Sequence, residues 1–390
     1  MTKRFKKIQE LAGKLKGLIF VGTGNLTSTA MGAIFWFFIA ALMSTEEYGE
    51  ISYVLSIGGI VGSLALIGAP DTITVFSAKG EKPQGSYFFI TIIAAIVSSI
   101  ILLIFIQNIE LSLYVIGYVI FTLAIADVLG KKKFKDYSKY LISQKIIFIV
   151  ISVCLFYIIG PKGIIFGFAL SFFPYFMRIY FGFKETKIET KIIKSHMRFS
   201  LNNYAGDLAK AFSGHVDKLI IGPLLGFSLL GNYALGIQVL MVFTLLPSIM
   251  FTYILPNEAG GNPSKKMKKI AILVAILIGF IGSIAVPSIL SSVLPKYSEA
   301  TDVIRIISFA VIPNTITLMY RSKFLSQNNS FPLMIAGIIY VIVQVACIFT
   351  LGMIYDVNGI ASALLIAAIS QAIFLFIVDK KKKESLQPNL

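Results

Sequence analysis

The sequence has few charged residues and few of the side chains that hold metals or form disulfides. Asp, Glu, Lys and Arg make up 14% of its 390 residues, against about 25% in soluble domains, whereas hydrophobic residues reach 56%. It has two histidines and two cysteines, and the cysteines lie in apolar runs in different halves of the chain. These features exclude an ordinary soluble protein and argue against a disulfide framework or a structural metal site. They predict a polytopic membrane protein.

Long polar loops are also absent. No segment between two apolar runs exceeds about 15 residues, which leaves no room for a soluble catalytic domain. P-loop, HExxH, CxxC and GxSxG motifs do not occur. We therefore expect no enzymatic activity, no catalytic residues and no cofactor, with H⁺ or Na⁺ as the only ions the chain would use for coupling.

What the sequence does contain is a series of twelve apolar stretches behind a basic, amphipathic segment at 1–17. The predicted fold class is all-α integral membrane, with twelve transmembrane helices. The expected organisation is an N-lobe at 18–183, a basic linker at 184–198, a C-lobe at 199–378 and a basic tail at 379–390. The predicted spans lie at about 18–43, 51–76, 87–106, 111–129, 140–160, 163–183, 199–226, 228–255, 270–294, 302–320, 331–354 and 358–378.

Positive charge is confined to one side of these spans. Of the 35 Lys and Arg, 28 lie in the segments on the side of the two termini and only Lys162 and Lys296 in those on the other. The positive-inside rule predicts a cytoplasmic-membrane protein with both termini in the cytoplasm, and it accounts for the net charge of +16 without a nucleic-acid partner. Lys145, Arg178 and Arg305 lie close to predicted span ends, where snorkelling to the interface is expected.

The seventh span is the exception to this apolar pattern. At about 100° per residue its polar side chains share an arc of roughly 100°, with Leu and Phe opposite. Ionisable groups at membrane depth normally face a bundle interior or a water-filled cavity, so we expect this helix to line a polar passage. Structural pairing between neighbouring charges is an equally weighted alternative. The stripe consists of Ser200, Asn203, Asp207, Lys210, Gly214, Asp217 and Lys218.

A weak internal repeat relates the two halves of the chain. At an offset of 182, Gly32 aligns with Gly214 and Gly49 with Gly231, and farther along Gly163 aligns with Gly359. Because each repeat holds an even number of spans, the halves share one orientation, and we predict two six-helix lobes related by a pseudo-two-fold axis along the membrane normal. In this alignment Asn25 takes the place of Asp207.

These segments resemble the polysaccharide-transporter branch of the multidrug, oligosaccharidyl-lipid and polysaccharide exporter (MOP) superfamily. The similarity lies in FFIAALMSTEEYGEISYVLSI and IGAPDTITV of the first half, in DKLIIGPLLGFSLLGNYALGIQV of the second, and in the span entries GPKGIIFGFAL and DVNGIASALL. The resemblance implies two lobes, a central cavity between the first and seventh helices, and alternating access. It implies that the chain flips a lipid-linked (polyprenyl-pyrophosphate) oligosaccharide for glycan export, with this substrate and membrane lipids as its partners.

Such a cargo requires cations for its pyrophosphate and polar groups for its sugars. We expect substrate contacts from Lys210, Lys218, Asn25, Asn203, Ser200 and Arg305, and ion coupling by Asp207, Asp217 and Asp71. Asp71 follows Pro70, so a structural cap is an alternative role for it.

Two other functions stay open. An ion-coupled drug or metabolic-cation antiporter of the same superfamily is the nearest, although its cavity would favour acidic residues over lysines. An integral-membrane glycosyltransferase or polymerase is opposed by the short loops. The sequence does not indicate which oligomeric state the chain adopts.

Overall fold

The computed structural model is all-helical over the part of the chain it describes, residues 2–259, 265–327 and 329–386. The predicted all-α fold is confirmed. The predicted segment 1–17 is helical from Thr2, but its side chains up to position 16 lie outside the description, as does the end of the predicted tail. In chain order the helices are α1 (Thr2–Leu42), α2 (Thr45–Ala65), α3 (Ala69–Ala78), α4 (Gln84–Ile106), α5 (Ile109–Gly130), α6 (Phe134–Ile159), α7 (Lys162–Ser171), α8 (Phe176–Glu185), α9 (Thr190–Leu225), α10 (Phe227–Ala259), α11 (Lys265–Val293), α12 (Ser298–Ile307), α13 (Val311–Ser326), α14 (Phe331–Cys347) and α15 (Met353–Leu386).

The described residues contain nine or ten candidate membrane spans, compared with the twelve that the sequence predicts. Nine stretches are long and apolar enough to cross a membrane, and the bent pair α2–α3 makes a tenth. One of the nine, Phe331–Lys381, has 51 residues, enough for two crossings of about 20 residues, and its backbone leaves helical geometry at Tyr355 and Asp356. α9, with 36 residues, is long enough to cross but carries charges along its length. Helices dominate because lipid offers backbone amides no other partner.

Several of the predicted spans are interrupted rather than continuous. The second bends by 49° between α2 and α3, where Ile67 and Gly68 adopt left-handed backbone conformations (φ 46° and 67°). Pro70 follows in the first turn of α3, a position that tolerates its missing N–H. The sixth is interrupted between α7 and α8 by a 3₁₀ turn that contains Pro174. The predicted linker 184–198 is itself mostly helical, because α9 begins at Thr190.

The chain packs as two compact units, which correspond to the two lobes of the fold. The first comprises Met1–Gly32 and Ile57–Ala211, and the second Ala33–Ser56 and Phe212–Leu390. In the first unit the core lies around α3, α4, α5 and α8. In the second it lies where α10, α12 and α15 meet. Three helices, α1, α2 and α9, therefore contribute residues to both units.

Two glycines that the repeat aligns, Gly49 and Gly231, face each other in the second unit. A Cβ on Gly49 would collide with the backbone of Phe227 and Gly231, and a Cβ on Gly231 would collide with the backbone of Thr45. Beside this crossing the Thr45 and Ser228 hydroxyls are 2.9 Å apart. Only glycine lets two helices approach backbone to backbone in this way, so the start of α2 is packed directly on the start of α10.

A second pair of aligned glycines makes equivalent contacts in each half. A Cβ on Gly163 would meet the backbone of Leu155, and a Cβ on Gly359 would meet the backbone of Leu351. In both cases the leucine precedes the glycine by eight residues. The same close approach thus opens the last span of each half, as the internal repeat predicts.

The glycine crossing yields a stability prediction. We expect Gly231→Ala to lower the yield of folded protein and its melting temperature in detergent, because the added methyl meets backbone atoms that cannot move aside; overpacking of this kind costs about 1–3 kcal/mol or more. Gly214→Ala is the matched control, since a methyl group added there would meet no other atom within 4 Å. Equal melting temperatures for the two variants would contradict this account of the crossing.

Candidate functional site

The charged helix α9 contributes to a different polar cluster in each unit. Asp207 and Lys210 precede the boundary of the first unit at Ala211, whereas Asp217 and Lys218 belong to the second. The surroundings of the two Asp residues differ sharply: the Asp207 side chain is 32% exposed and that of Asp217 is 5% exposed. The two ends of the predicted stripe therefore lie in different surroundings.

Asp217 is the centre of the cluster in the second unit. Its Oδ2 accepts a hydrogen bond of 2.6 Å from the Tyr233 hydroxyl on α10 and one of 3.5 Å from the Gln344 amide on α14. Its Oδ1 accepts from the backbone N–H of Lys218 at 2.8 Å and lies 3.3 Å from the Lys218 Nζ. A carboxylate at membrane depth is costly unless it is paired, and donors from three helices supply that pairing.

Two polar groups around this carboxylate retain unused hydrogen-bonding capacity. The Gln344 Oε1 is buried and has no hydrogen-bond partner within the described residues. Lys218 also donates from Nζ to the Gly214 carbonyl at 3.0 Å, so it has a second acceptor besides Asp217. The cluster therefore combines a buried anion, a cation with an alternative partner, and a free amide oxygen. His215 lies nearby on α9, and its Nδ1 is likewise buried without a partner among the described residues.

Sequence reasoning missed both partners that other helices bring to Asp217. Tyr233 is fully buried and Gln344 is 1% exposed. Gln344 was detectable in principle as the polar residue of FPLMIAGIIYVIVQVAC, because an amide in an apolar span needs a partner. Tyr233 carried no such signal, since tyrosines are common in this chain, which has 17.

The first unit holds the other half of the predicted charges. Lys210 Nζ lies 2.8 Å from Asp207 Oδ1, an i,i+3 pair in which the lysine is 61% exposed. Asp71, in the first turn of α3, is exposed and lies within electrostatic range of both. These three predicted residues are therefore brought together.

The uncharged residues of the α9 stripe make mainly structural contacts. The Ser200 hydroxyl donates to the Ile67 carbonyl at 2.9 Å, and the Tyr204 hydroxyl donates to the Leu64 carbonyl at 2.8 Å. Both acceptors lie at the bend between α2 and α3, where helical hydrogen bonding stops. The Asn203 amide donates to the Phe199 carbonyl of its own helix at 2.9 Å. Ser200 thus satisfies an interrupted backbone.

Asn25 and Arg305, also predicted as substrate contacts, lie apart from these clusters. The Asn25 amide nitrogen donates to the Val21 carbonyl at 3.0 Å, and its oxygen accepts from the Tyr137 hydroxyl at 3.3 Å. Arg305, on α12 of the second unit, pairs with Asp302 at 3.0 Å, and both side chains are about half exposed or more.

Lys145 lies farther from the start of its helix than the predicted span implies. The sequence predicts that it snorkels from a span beginning near 140, but α6 begins at Phe134, which puts Lys145 about 16 Å along the helix. Its Nζ lies 5.2 Å from the Phe148 ring centroid and 5.1 Å from that of Phe168. Gly32 of α1 is its neighbour on the other side. Cation–π contacts of this kind stabilise a half-buried lysine, and no carboxylate partner occurs for it within the described residues.

A further charge network in the first unit is structural in character. Asp127 is fully buried on α5, where it pairs with Arg178 of α8 and with Lys131 at 3.1 Å. The Gln84 amide of α4 donates to it at 3.0 Å. Arg178 therefore binds a buried carboxylate instead of snorkelling. Three helices are joined at this point, at the end of α5 where the lysines are concentrated.

Comparison with known proteins shows the fold of the chain. No protein-family model and no curated protein sequence matches it. Among solved structures it is similar to an inward-facing multidrug resistance MATE family transporter of the MOP superfamily, with a TM-score of 0.74, 12% identity, and 93% of this chain and 96% of the other covered. The outward-facing conformation of a MATE family transporter gives 0.66, at 12% identity over 97% of each chain. The chain has a MATE-like fold, and its structural neighbours are transporters.

A third similar structure bears on binding chemistry. It is a MOP superfamily transporter from Pyrococcus furiosus Vc1, for which the reverse polarity of its binding pocket suggests a different function. The TM-score is 0.62 at 12% identity, with 95% of this chain and 96% of that one covered. Pocket polarity thus differs among proteins that share this fold, and the fold alone leaves the cargo open.

The Asp127 network predicts a large stability effect. Asp127→Asn leaves the Arg178 guanidinium buried with only a distant partner, Glu185, at 3.9 Å, and breaking a buried pair costs about 3–5 kcal/mol. We expect a clearly lower melting temperature in detergent. Asp302→Asn is the matched control, because it breaks an exposed i,i+3 pair worth about 1 kcal/mol or less. Similar losses in the two variants would refute the assignment of Asp127 as a structural anchor.

Proposed function

We propose that the chain is an ion-coupled exporter that works by alternating access, with Asp217 as its coupling carboxylate. The observation that carries the proposal is the buried Asp217 cluster, in which one carboxylate is bonded by side chains of α9, α10 and α14. The MATE-like fold supports transport, and its multidrug neighbours support export of a drug or metabolic cation as the first candidate. The cytoplasmic membrane, with both termini in the cytoplasm, is the expected location.

The coupling step follows from the hydrogen bonds around Asp217. A proton or Na⁺ on the carboxylate cancels its attraction for Lys218, whose Nζ has the Gly214 carbonyl as its other acceptor. A protonated Asp217 becomes a donor, and the Gln344 side chain, turned about its last bond, offers Oε1 as the acceptor. For Na⁺, the oxygens of Asp217, Tyr233 and Gln344 are suitable hard ligands. Occupancy of the site thus changes the contacts that join three helices.

Flipping of a lipid-linked oligosaccharide is the second candidate, and Lys145 is the observation that favours it. A half-buried lysine without a carboxylate partner among the described residues offers no attraction to a cationic drug, whereas it suits a pyrophosphate. Lys210, whose side chain is 61% exposed, adds a second cation in the same unit. The structural neighbour with a pocket of reverse polarity is a precedent within the fold for a pocket chemistry that differs from the multidrug type.

Coupling through Asp217 is tested in proteoliposomes with an imposed pH or Na⁺ gradient. We expect Asp217→Asn to reduce gradient-driven export of ethidium at least about tenfold, since the amide carries no charge for the ion to neutralise. This variant also leaves Lys218 buried and unpaired, so it is compared with Asp217→Asn/Lys218→Met, which removes that cation as well. We expect the double variant to regain folding stability but not coupling. If the double variant recovered gradient-driven export, Asp217 would be a structural partner of Lys218 and not the coupling residue.

The charge of the cargo is tested by substituting Lys145. If the cargo is anionic, Lys145→Gln lowers translocation of a polyprenyl-pyrophosphate-linked glycan about tenfold or more, because a charge-assisted contact to phosphate is lost. Lys139→Gln is the control, as Lys139 is an exposed lysine of the same helix. If the cargo is a cation, Lys145→Gln leaves ethidium export unchanged or faster, and the wild-type protein does not move the glycan. The second result would reject the flippase candidate.

A further inference from the structure

A large cavity lies in the second unit, away from the Asp217 cluster. It has a volume of about 960 Å³ and is bounded by α10, α11, α13 and α15. All of its charged lining residues lie near the helix ends that carry the lysine-rich segments, which the positive-inside rule places at the cytoplasmic face. Neither the proposed coupling site nor the predicted polar stripe contributes to its lining.

Positive charge dominates the polar part of this cavity. Four lysines line it against two carboxylates, Glu258 and Asp379. Both carboxylates already bind lysines: Glu258 pairs with Lys268 at 2.7 Å, and Asp379 pairs with Lys323. Glu258 also accepts a hydrogen bond of 2.7 Å from the Ser322 hydroxyl.

The remaining two lysines, Lys265 and Lys269, lie in the first turns of α11. They are exposed and have no ion-pair partner within the described residues. The spacing of four residues puts them on one face of the helix. With Glu258 paired to Lys268 and Asp379 paired to Lys323, Lys265 and Lys269 give the described lining of the cavity a net charge of +2.

The rest of the lining is apolar. The wall is formed by aliphatic and aromatic side chains of α11, α13 and α15, and those of Ile373 and Phe376 are 52% and 54% exposed, so the apolar wall continues onto the outer surface of the helices. An amphiphile has a polar headgroup and an apolar tail. This cavity offers two unpaired lysines for an anionic headgroup and an apolar wall for the tail. The wall residues are Ile272, Ile316, Met319, Tyr320, Ile373 and Phe376.

We propose that this cavity binds an anionic phospholipid, with the phosphate between Lys265 and Lys269 and an acyl chain along the apolar wall. Basic pockets between transmembrane helices at the cytoplasmic face are suited to such headgroups, because anionic lipids are concentrated there. A soluble phosphate would use the lysines but leave the wall without a partner. A zwitterionic lipid would use the wall but gain little from the lysines. The proposal is independent of which cargo the protein exports.

Native mass spectrometry of the full-length protein tests the proposal. The purified chain is titrated with dioleoyl-phosphatidylglycerol and, separately, with dioleoyl-phosphatidylcholine. We expect tighter binding of phosphatidylglycerol, and a loss of about 30-fold in its affinity in Lys265→Gln/Lys269→Gln, since each lysine near an anionic headgroup is worth about fivefold. Lys191→Gln/Lys194→Gln on α9 is the charge-matched control, as both lysines are exposed and lie outside the cavity. It should retain wild-type affinity.

Two further experiments identify the bound molecule and the place where it binds. Phosphatidylglycerol with a diazirine in its acyl chain should crosslink to residues of α11, α13 or α15 at the cavity wall, and sn-glycerol 1-phosphate should not displace it. Equal affinity for both lipids, equal loss in the two double variants, or crosslinks confined to other helices would overturn the proposal. Displacement by glycerol phosphate at concentrations similar to those of the lipid would overturn it in favour of a soluble anion.

Discussion

The contact between Gly49 and Gly231 fixes the architecture of the second unit. Because neither residue has a side chain, the first turns of α2 and α10 touch through their backbones. This contact brings the end of α1 and the start of α2 into a unit otherwise built from the second half of the chain. Further contacts secure the hairpin: the Tyr48 and Tyr297 rings pack edge to face at 6.0 Å, and Lys296 donates to the Ala41 carbonyl at 2.8 Å. The position of the hairpin thus depends on the two glycines.

Most of the fold could be predicted from the sequence because the bilayer restricts the options so strongly. Long apolar runs become helices where no water competes for the backbone, and the repeat identified glycines that prove to make equivalent contacts. The breaks within spans were less accessible. Pro70 and Pro174 lie at these breaks, but nothing local determined that Ile67 would take a left-handed conformation. The bend there is supported by Ser200 and Tyr204, more than 130 residues away in the chain.

The candidate site was predictable in part, because the sequence shows which residues are charged but not which residues of distant segments pack against them. A charge in an apolar helix is visible in the sequence, so Asp207, Lys210, Asp217 and Lys218 could all be selected. Whether such a charge is paired on its own helix or across helices depends on packing. Asp207 and Lys210 proved to be an i,i+3 pair, whereas Asp217 receives Tyr233 and Gln344 from helices that no sequence pattern connects to it. α6 begins six residues before the predicted start of its span, and the contacts of Lys145 with Phe148 and Phe168 depend on packing in the same way.

The arrangement around Asp217 also determines which group can respond to an ion. Tyr233 is fully buried and donates its hydroxyl proton to the carboxylate at 2.6 Å. Lys218 differs, since its ammonium contacts both the carboxylate and the Gly214 carbonyl one turn away. A cation arriving at Asp217 therefore competes with Lys218 before Tyr233, because the ammonium contact of 3.3 Å is longer than the hydroxyl contact of 2.6 Å and its loss leaves the ammonium with an acceptor. In the proposed mechanism, the mobile element of the coupling site is the lysine next to the carboxylate, and α9 is the helix that transmits its displacement.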